Sequence, residues 1–206
     1  MLNTLNILER IILNPPTAKI YARLGFKEKS TSLFSSRRQE TDHYIQEAVS
    51  LICLQGSFLL LPILKNDGGK IDLAPDLSFR SAKLARFLGD CRETALMGAT
   101  AGPFIMEAIR EKTKQDQMTA AVVYDATASE MADAALDWIM DYINRQLLRE
   151  SKHLLPRRFS AGYADFALDN QKDIHKKLQL EKIGVSLSPS CILVPEKSVT
   201  AISGIR

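Results

Sequence analysis

Apolar side chains near the start of the chain recur at intervals of three and four residues, which is the spacing of one helix face. They are Leu5, Ile7, Leu8, Ile11 and Ile12. Pro15 and Pro16 interrupt this pattern, and a second helix is predicted from Thr41 through Ile52. We therefore expect residues 1–50 to form a helical N-terminal part.

The middle of the chain alternates between short apolar runs, which predict strands, and amphipathic stretches, which predict helices. The expected strands are 57–64, 70–73 and 93–98. The sequence Asn66–Gly69 is typical of a turn between the first two. Helices are expected from Ser81 to Leu88 and from Pro103 to about Lys114, since proline is favoured in the first turn of a helix.

The run Met118–Tyr124 is apolar and contains β-branched residues, which predicts a buried strand. Asp125 or Thr127 would then begin a long, alanine-rich helix that ends near Leu148. The remaining elements expected are a helix and two short strands: 168–182, 190–194 and 198–202. Helices and strands mixed without regular βαβ alternation favour an α+β fold.

The composition is that of an ordinary globular protein, with 46% hydrophobic and 25% charged residues. The net charge of +3 lies in the last part of the chain: residues 1–149 carry 18 basic and 18 acidic side chains, and residues 150–206 carry 9 and 6. This excess suits an anionic ligand or partner, and it is too small to indicate a nucleic-acid-binding surface.

Several features favour a cytoplasmic protein. The cysteines Cys53, Cys91 and Cys191 have no C-x-x-C spacing, and we expect Cys53 and Cys191 to be buried, unreactive thiols. The N-terminus has charged residues within its apolar run and no small-residue cleavage site, unlike a signal peptide. No apolar run approaches the roughly 20 residues that span a bilayer.

The usual signatures of catalysis are missing from the sequence. His43, His153 and His175 have no metal-ligand spacing and are expected on the surface. The stretch GATAG at residues 98–102 lacks the lysine and hydroxyl of a phosphate-binding loop, so we interpret it as a tight turn. No nucleophile elbow and no suggestive pair of carboxylates is present.

One polar segment, RRFSAGYAD at residues 157–165, groups residue types that bind small molecules. Arg158 offers a planar cation with several donors, Gly162 allows close approach of the backbone, and Tyr163 adds an aromatic face. The pattern is R-x-x-x-G-Y, with too few apolar residues for a core segment. It suits a small anionic or zwitterionic ligand.

Further motifs accompany this pattern: LEKIGVSLSPS from Leu180, then P-x-x-S-V from Pro195. Together they resemble the activation domain of cobalamin-dependent methionine synthase, which binds S-adenosylmethionine. Upstream stretches, among them RETALMGATAGP and VVYDATASEMADAALDWI, look like free-standing members of this family. The resemblance implies one domain over residues 1–206, with a body over 57–206 and a motif region over 157–204. It also implies a mixed, mainly antiparallel sheet flanked by helices.

The resemblance further implies which residues bind the ligand. Those that it places at S-adenosylmethionine are Arg158, Gly162, Tyr163 and Ala161. An acidic residue of the family's alanine-rich helix lies near the cationic end of the ligand. Its counterpart here is Asp133, with Glu130 a turn earlier. No catalytic acid or base and no metal ligand is implied.

The function implied is reactivation, as one part of a split methionine synthase. S-adenosylmethionine would be presented to cob(II)alamin on a partner chain that lacks its own activation domain, while flavodoxin or a similar donor supplies an electron. Cobalamin would be held only by that partner. Two alternatives are reactivation of another corrinoid methyltransferase, and a docking or structural module that has lost S-adenosylmethionine binding. Two family contacts, an early aspartate and a tyrosine beyond the S-V motif, are expected to be missing.

Overall fold

A computed structural model describes residues 2–26, 35–74 and 76–206 of the chain. Its helices are α1 (Thr17–Arg23), α2 (Ser35–Leu51), α3 (Ala82–Leu88), α4 (Phe104–Lys114), α5 (Met118–Leu147) and α6 (Gln171–Leu178). Its strands are β1 (Leu5–Leu8), β2 (Gln55–Pro62), β3 (Lys65–Asn66), β4 (Lys70–Ala74), β5 (Leu77–Arg80), β6 (Glu93–Thr100), β7 (Ser186–Leu187), β8 (Leu193–Val194) and β9 (Ser198–Ile205).

The strands form one central sheet and two smaller ones. The central sheet has the order β1-β2-β6-β9, a second sheet has the order β3-β4-β5, and β7 pairs with β8. The pairs between these strands are antiparallel, and an isolated parallel bridge joins Leu2 to Leu60. The predicted α+β class, with a mainly antiparallel sheet flanked by helices, is confirmed.

Both faces of the central sheet are buried, because alternate residues of each strand contribute to different cores. On β2, Phe58 and Leu60 face a core formed with α5, while Leu59 and Leu61 face a core formed with the second sheet, α3 and α6. β6 and β9 alternate in the same way. The central sheet is therefore the middle layer of the molecule, with α5 on one side.

Helix α5 packs closely on the sheet because small residues line its buried face. Ala128, Ala132 and Ala135 are at most 1% exposed and belong to the core that includes Phe58. On the sheet, a Cβ at Gly56 would lie 2.7 Å from a methyl group of Ile139. Alanine and glycine thus allow the two backbones to approach one another, at the packing density of a protein interior.

The predicted helical N-terminal part is wrong for residues 5–8, which form β1 and pair with β2. A short apolar run fits both the helical period and the strand period. Here Leu5 and Ile7 pack on one core while Leu8 packs on the other, as in a strand. Ile12, which a helix would have placed beside Leu5 and Leu8, is 74% exposed. The second helix is confirmed as α2, with an earlier start.

The predicted strand over residues 118–124 is also wrong, because α5 begins at Met118. Met118 and Val122 are 53% and 54% exposed, while Val123 and Tyr124 are buried, which is a helical pattern of burial. The β-branched residues favoured a strand locally, but packing against α4 and α2 decides the conformation. Asp125 and Thr127 therefore lie inside the helix and do not cap it.

The other predicted elements are present, but two are much shorter than expected: α6 covers 171–178 of the helix predicted over 168–182, and β8 covers 193–194 of the strand predicted over 190–194. α3 and α4 match the predicted helices, and the Ser81 side chain caps α3 by accepting a hydrogen bond from the Leu84 N–H at 2.9 Å. Cys191 is buried as expected, but Cys53 is exposed. Over the described ranges of the chain, no helix is long and apolar enough to cross a membrane.

We predict that Ala135→Leu destabilises the fold. The added side chain must fit between α5 and the sheet, and overpacking of this kind costs about 1–3 kcal/mol. Arg145→Leu, on an exposed position of the same helix, is the control and should change stability by no more than about 0.5 kcal/mol. Urea unfolding measures both variants, and equal stability of the two would contradict close packing at this face.

Candidate functional site

A groove of about 290 Å³ opens between α5, the segment that contains R-x-x-x-G-Y, and β9. The motif region therefore meets the alanine-rich helix at one concave surface. Residues that line it include Asp133, Leu136, Arg158, Ala161, Tyr163, Leu168, Gln171, Glu196 and Thr200. A second cavity, of about 520 Å³, lies at the far end of β9 beside Glu93 and Ile205, and contains none of the predicted ligand residues.

The motif segment is fixed to the outer edge of β9. Phe159 donates its N–H to the Ile202 carbonyl at 2.8 Å and accepts the Ile202 N–H at 2.7 Å. The Ser160 hydroxyl donates to the Thr200 carbonyl at 2.8 Å. The Phe159 ring packs against the core that contains Phe166. These contacts hold the residues that follow Arg158 to the sheet.

Asp165, at the end of the motif, anchors the segment to α3. Its carboxylate accepts hydrogen bonds from the Ser81 hydroxyl at 2.5 Å and from the Ala82 N–H at 2.8 Å. It also accepts the Lys83 N–H at 3.2 Å. The hydrogen bond from Ser81, followed by those from the backbone, lowers the pKa of Asp165. A residue of the motif thus completes the N-terminus of a helix far away in sequence.

Arg158 is held between two carboxylates of α5. Its Nη2 lies 2.5 Å from Asp133 Oδ1, and its Nη1 donates to Asp137. Asp137 also pairs with Lys19 of α1 at 3.2 Å. Burial disfavours the ionised form of Asp137, but hydrogen bonds from Arg158 and Lys19 outweigh it and lower the pKa of this carboxyl group. Arg158 is therefore a paired cation at the wall of the groove.

Gly162 forms the turn that presents its neighbours. Its φ of +89° lies in the left-handed region, and its N–H donates to the Phe166 carbonyl at 2.8 Å. Gly162 is not among the residues lining the groove, although Ala161 and Tyr163 on either side of it are. Tyr163 is 68% exposed at the rim. The geometry of the turn is the reason that the structure gives for glycine here.

Glu130 lies outside the groove. Its carboxylate accepts a 2.5 Å hydrogen bond from Arg23, and its side chain is only 12% exposed. The pair connects α1 to α5. Of the predicted ligand residues, the structure thus brings Asp133, Arg158, Ala161 and Tyr163 together at the groove and places Gly162 and Glu130 beside it.

The histidines lie apart from this groove. His43 and His153 are exposed, as expected. His175 differs from the expectation, because its side chain is only 16% exposed and its Nε2 is 2.8 Å from the Val185 carbonyl. This contact joins α6 to the segment that follows it.

Sequence reasoning missed three polar residues of the groove. Gln171 and Thr200 are each 4% exposed and hydrogen-bond to one another, with 2.8 Å between Gln171 Nε2 and Thr200 Oγ1. Glu196 lies opposite, half exposed. Gln171 lies in a polar helix, where the sequence does not distinguish it from its neighbours. Glu196 belongs to the P-x-x-S-V motif, and that position is a signal for a ligand residue.

The charge of the groove bears on the expectation of an anionic or zwitterionic ligand, and it favours the zwitterion. Among its described lining residues, Arg158 is the cation, and Asp133 and Glu196 are the anions, so the net charge is 1 − 2 = −1. A concave surface with an excess of negative charge attracts a ligand that carries a positive centre. A zwitterion with an additional cation fits this surface better than an anion does.

Comparison with known proteins supports the fold. No protein-family model matches the sequence, and no curated protein matches it either. A solved structure does match: the crystal structure of the MetH reactivation domain bound to AdoHcy, with a TM-score of 0.71 and 13% sequence identity. The match covers 98% of this chain and 78% of that one. The expected activation-domain fold is therefore confirmed.

We predict that Asp165→Asn lowers the melting temperature at pH 7, because the amide is a weaker partner for Ser81 and the α3 N-terminus. The pKa of Asp165 is lowered in the folded protein, so its contribution is complete above the ordinary aspartate pKa of about 3.9. That contribution is lost as the pH falls through the lower, folded-state value. The difference in melting temperature between wild type and variant should therefore shrink below about pH 4.

Thermal unfolding followed by circular dichroism over this pH range is the measurement. Asp141→Asn removes an exposed carboxylate of α5 and serves as the control. A pH-independent difference for Asp165→Asn would show that the carboxylate charge does not hold the motif segment.

Proposed function

We propose that this protein binds S-adenosylmethionine and serves as a reactivation module for a cobalamin-dependent methionine synthase. One observation carries the proposal. The arginine and tyrosine of R-x-x-x-G-Y converge with Asp133 on one groove. This occurs in a fold shared with a MetH reactivation domain that binds AdoHcy. AdoHcy is what remains of S-adenosylmethionine after its methyl group has been transferred.

The groove residues fit the charges of this ligand. S-adenosylmethionine carries a carboxylate, an ammonium and a sulfonium, and so has one net positive charge, opposite to that of the groove. Arg158 uses Nη1 and Nη2 for its carboxylate partners, and no partner of its Nε–H is found among the described residues. The Nε–H can therefore donate a hydrogen bond to the ligand carboxylate. Asp133 is 45% exposed and can accept one from the adjacent ammonium.

The protein's own part would be to bind and orient. When bound, S-adenosylmethionine supplies a methyl group that passes from sulfur to cobalt after one-electron reduction of cob(II)alamin, the S–CH₃ electron pair staying on sulfur. No proton moves in this transfer, so the chain needs no general acid or base. Tyr163, Leu168 and Ile192 border the groove and are 68%, 39% and 51% exposed, so they are available to contact a partner.

The partner in this proposal is a cobalamin-binding methionine synthase chain without an activation domain, with flavodoxin or a similar protein as the electron donor. Reactivation of another corrinoid methyltransferase would use the same groove. A second candidate, a docking module without ligand, is favoured by one observation: Arg158 already has two carboxylate partners. A measurement of S-adenosylmethionine binding distinguishes the docking module from the two reactivation roles.

We predict that S-adenosylmethionine binds and that Arg158→Ala weakens its binding by about 1.5–3 kcal/mol, the usual contribution of a charged hydrogen bond. Arg157→Ala is the matched control, because the neighbouring arginine is exposed and does not line the groove. Isothermal titration calorimetry of the three proteins decides the matter. Equal losses in both variants would remove Arg158 from the ligand site, and no binding by wild type would favour the docking module.

We also predict that the protein restores methylcobalamin in a methionine synthase that lacks its own activation domain. The reaction should require S-adenosylmethionine and a low-potential reductant, and Arg158→Ala should slow it while Arg157→Ala does not. The visible spectrum of the corrinoid reports the conversion. If S-adenosylmethionine binds but no corrinoid protein is remethylated, ligand binding stands and the reactivation role fails.

A further inference from the structure

The two carboxylates that line the groove differ in what they already contact. Asp133 lies 2.5 Å from the guanidinium of Arg158. Glu196 has a longer contact, 3.5 Å, with Arg110 of α4, and the two side chains of this pair are 60% and 50% exposed. A pair so open to water is weak, so Glu196 is the lining carboxylate that is more readily available to a ligand.

The backbone that carries Glu196 is nevertheless fixed. The next residue, Lys197, is 15% exposed and contacts Asp125 at 2.7 Å and Ser129 at 2.9 Å, both on α5. Its carbonyl accepts the N–H of Ala101 at 2.9 Å. The Ser198 hydroxyl closes the turn by donating to the Pro195 carbonyl at 2.6 Å. A half-exposed carboxylate is thus presented from a turn that hydrogen bonds hold in place.

Helix α5 carries Asp133 and also holds the turn that carries Glu196. Lys197 contacts Ser129 and Asp125, which precede Asp133 by one and two helical turns. At a rise of 1.5 Å per residue, those positions are about 6 and 12 Å from Asp133 along the axis. Lys197, the residue after Glu196, therefore contacts α5 on the N-terminal side of Asp133, and the described ion-pair partner of Glu196 is Arg110 of α4, not Arg158.

Two separated negative positions match a ligand with two separated positive charges. If S-adenosylmethionine binds as proposed above, its carboxylate and ammonium share one carbon and suit the adjacent Arg158 and Asp133. Its sulfonium is further along the ligand. We infer that Glu196 faces the sulfonium and selects the methylated, cationic ligand over the neutral thioether AdoHcy. This inference rests on the proposed function and names the residue that gives the site its charge preference.

The test compares S-adenosylmethionine and AdoHcy as ligands for wild type, Glu196→Gln and Arg110→Gln. The two ligands share their ammonium and carboxylate and differ in the charge on sulfur. Glu196→Gln should lower the affinity for S-adenosylmethionine by about five-fold, as expected for a partly exposed charge pair. The affinity for AdoHcy should change by no more than about two-fold. Arg110→Gln breaks the same ion pair from outside the groove and should keep both affinities.

Salt gives an independent readout. The preference of wild type for S-adenosylmethionine should fall as ionic strength rises, and Glu196→Gln should remove most of that dependence. If Glu196→Gln lowers the affinities for both ligands equally, or changes neither, the role of Glu196 is overturned while the proposed function stands. Failure of wild type to bind either ligand would instead remove the proposed function, and this inference with it.

Discussion

The guanidinium of Arg158 lies between Asp133 and Asp137, one helical turn apart on α5, and the groove is built around this interaction. It joins the motif segment to the helix that covers the central sheet, and Lys19 extends it to α1. Both carboxylates are nearly half exposed, at 45% and 46%, so water reaches and weakens these ion pairs from the carboxylate side, whereas the Arg158 side chain is 20% exposed. A ligand carboxylate could bind the same cation through its Nε–H, which donates to none of the described residues.

This arrangement depends in turn on the close packing of α5 and the sheet. The alanines on the buried face of α5 let the helix lie close to the sheet, and Phe159 and Ile202 join the motif segment to the edge strand β9. Because α5 and the motif segment are both fixed to the sheet, the side chain of Arg158 can span the gap between them. A shift of either element would separate the cation from its carboxylates.

Much of this could be predicted from the sequence where the signal is local. α3 has a serine cap and α4 has a proline at its start, and both were found where they were expected. Arg158 and Tyr163 of the motif R-x-x-x-G-Y line the same groove because they belong to one short segment, in which Gly162 forms the turn. The predictions for β1 and for the start of α5 were wrong because their apolar runs fit both a helix and a strand. Only the packing partners decide between the two.

The parts of the site that were missed depend on contacts between distant segments. Asp165 caps a helix more than eighty residues earlier, and Glu196 is presented by a turn that Lys197 ties to α5. Nothing in a local pattern indicates either partner. The same is true of Asp137, which is one acid among several on α5 until Arg158 and Lys19 are seen beside it.

If the protein binds S-adenosylmethionine as proposed, the distribution of charge in the groove accounts for how the ligand is held and oriented. Arg158 and its paired carboxylates provide a position for a carboxylate and an ammonium, and Glu196 provides a second, more open anion. The exposed rim formed by Tyr163, Leu168 and Ile192 would leave a ligand bound in the groove accessible to a second molecule. Chemistry would then begin only when a partner covers the rim, which suits a protein that presents a methyl group and does not itself accept it.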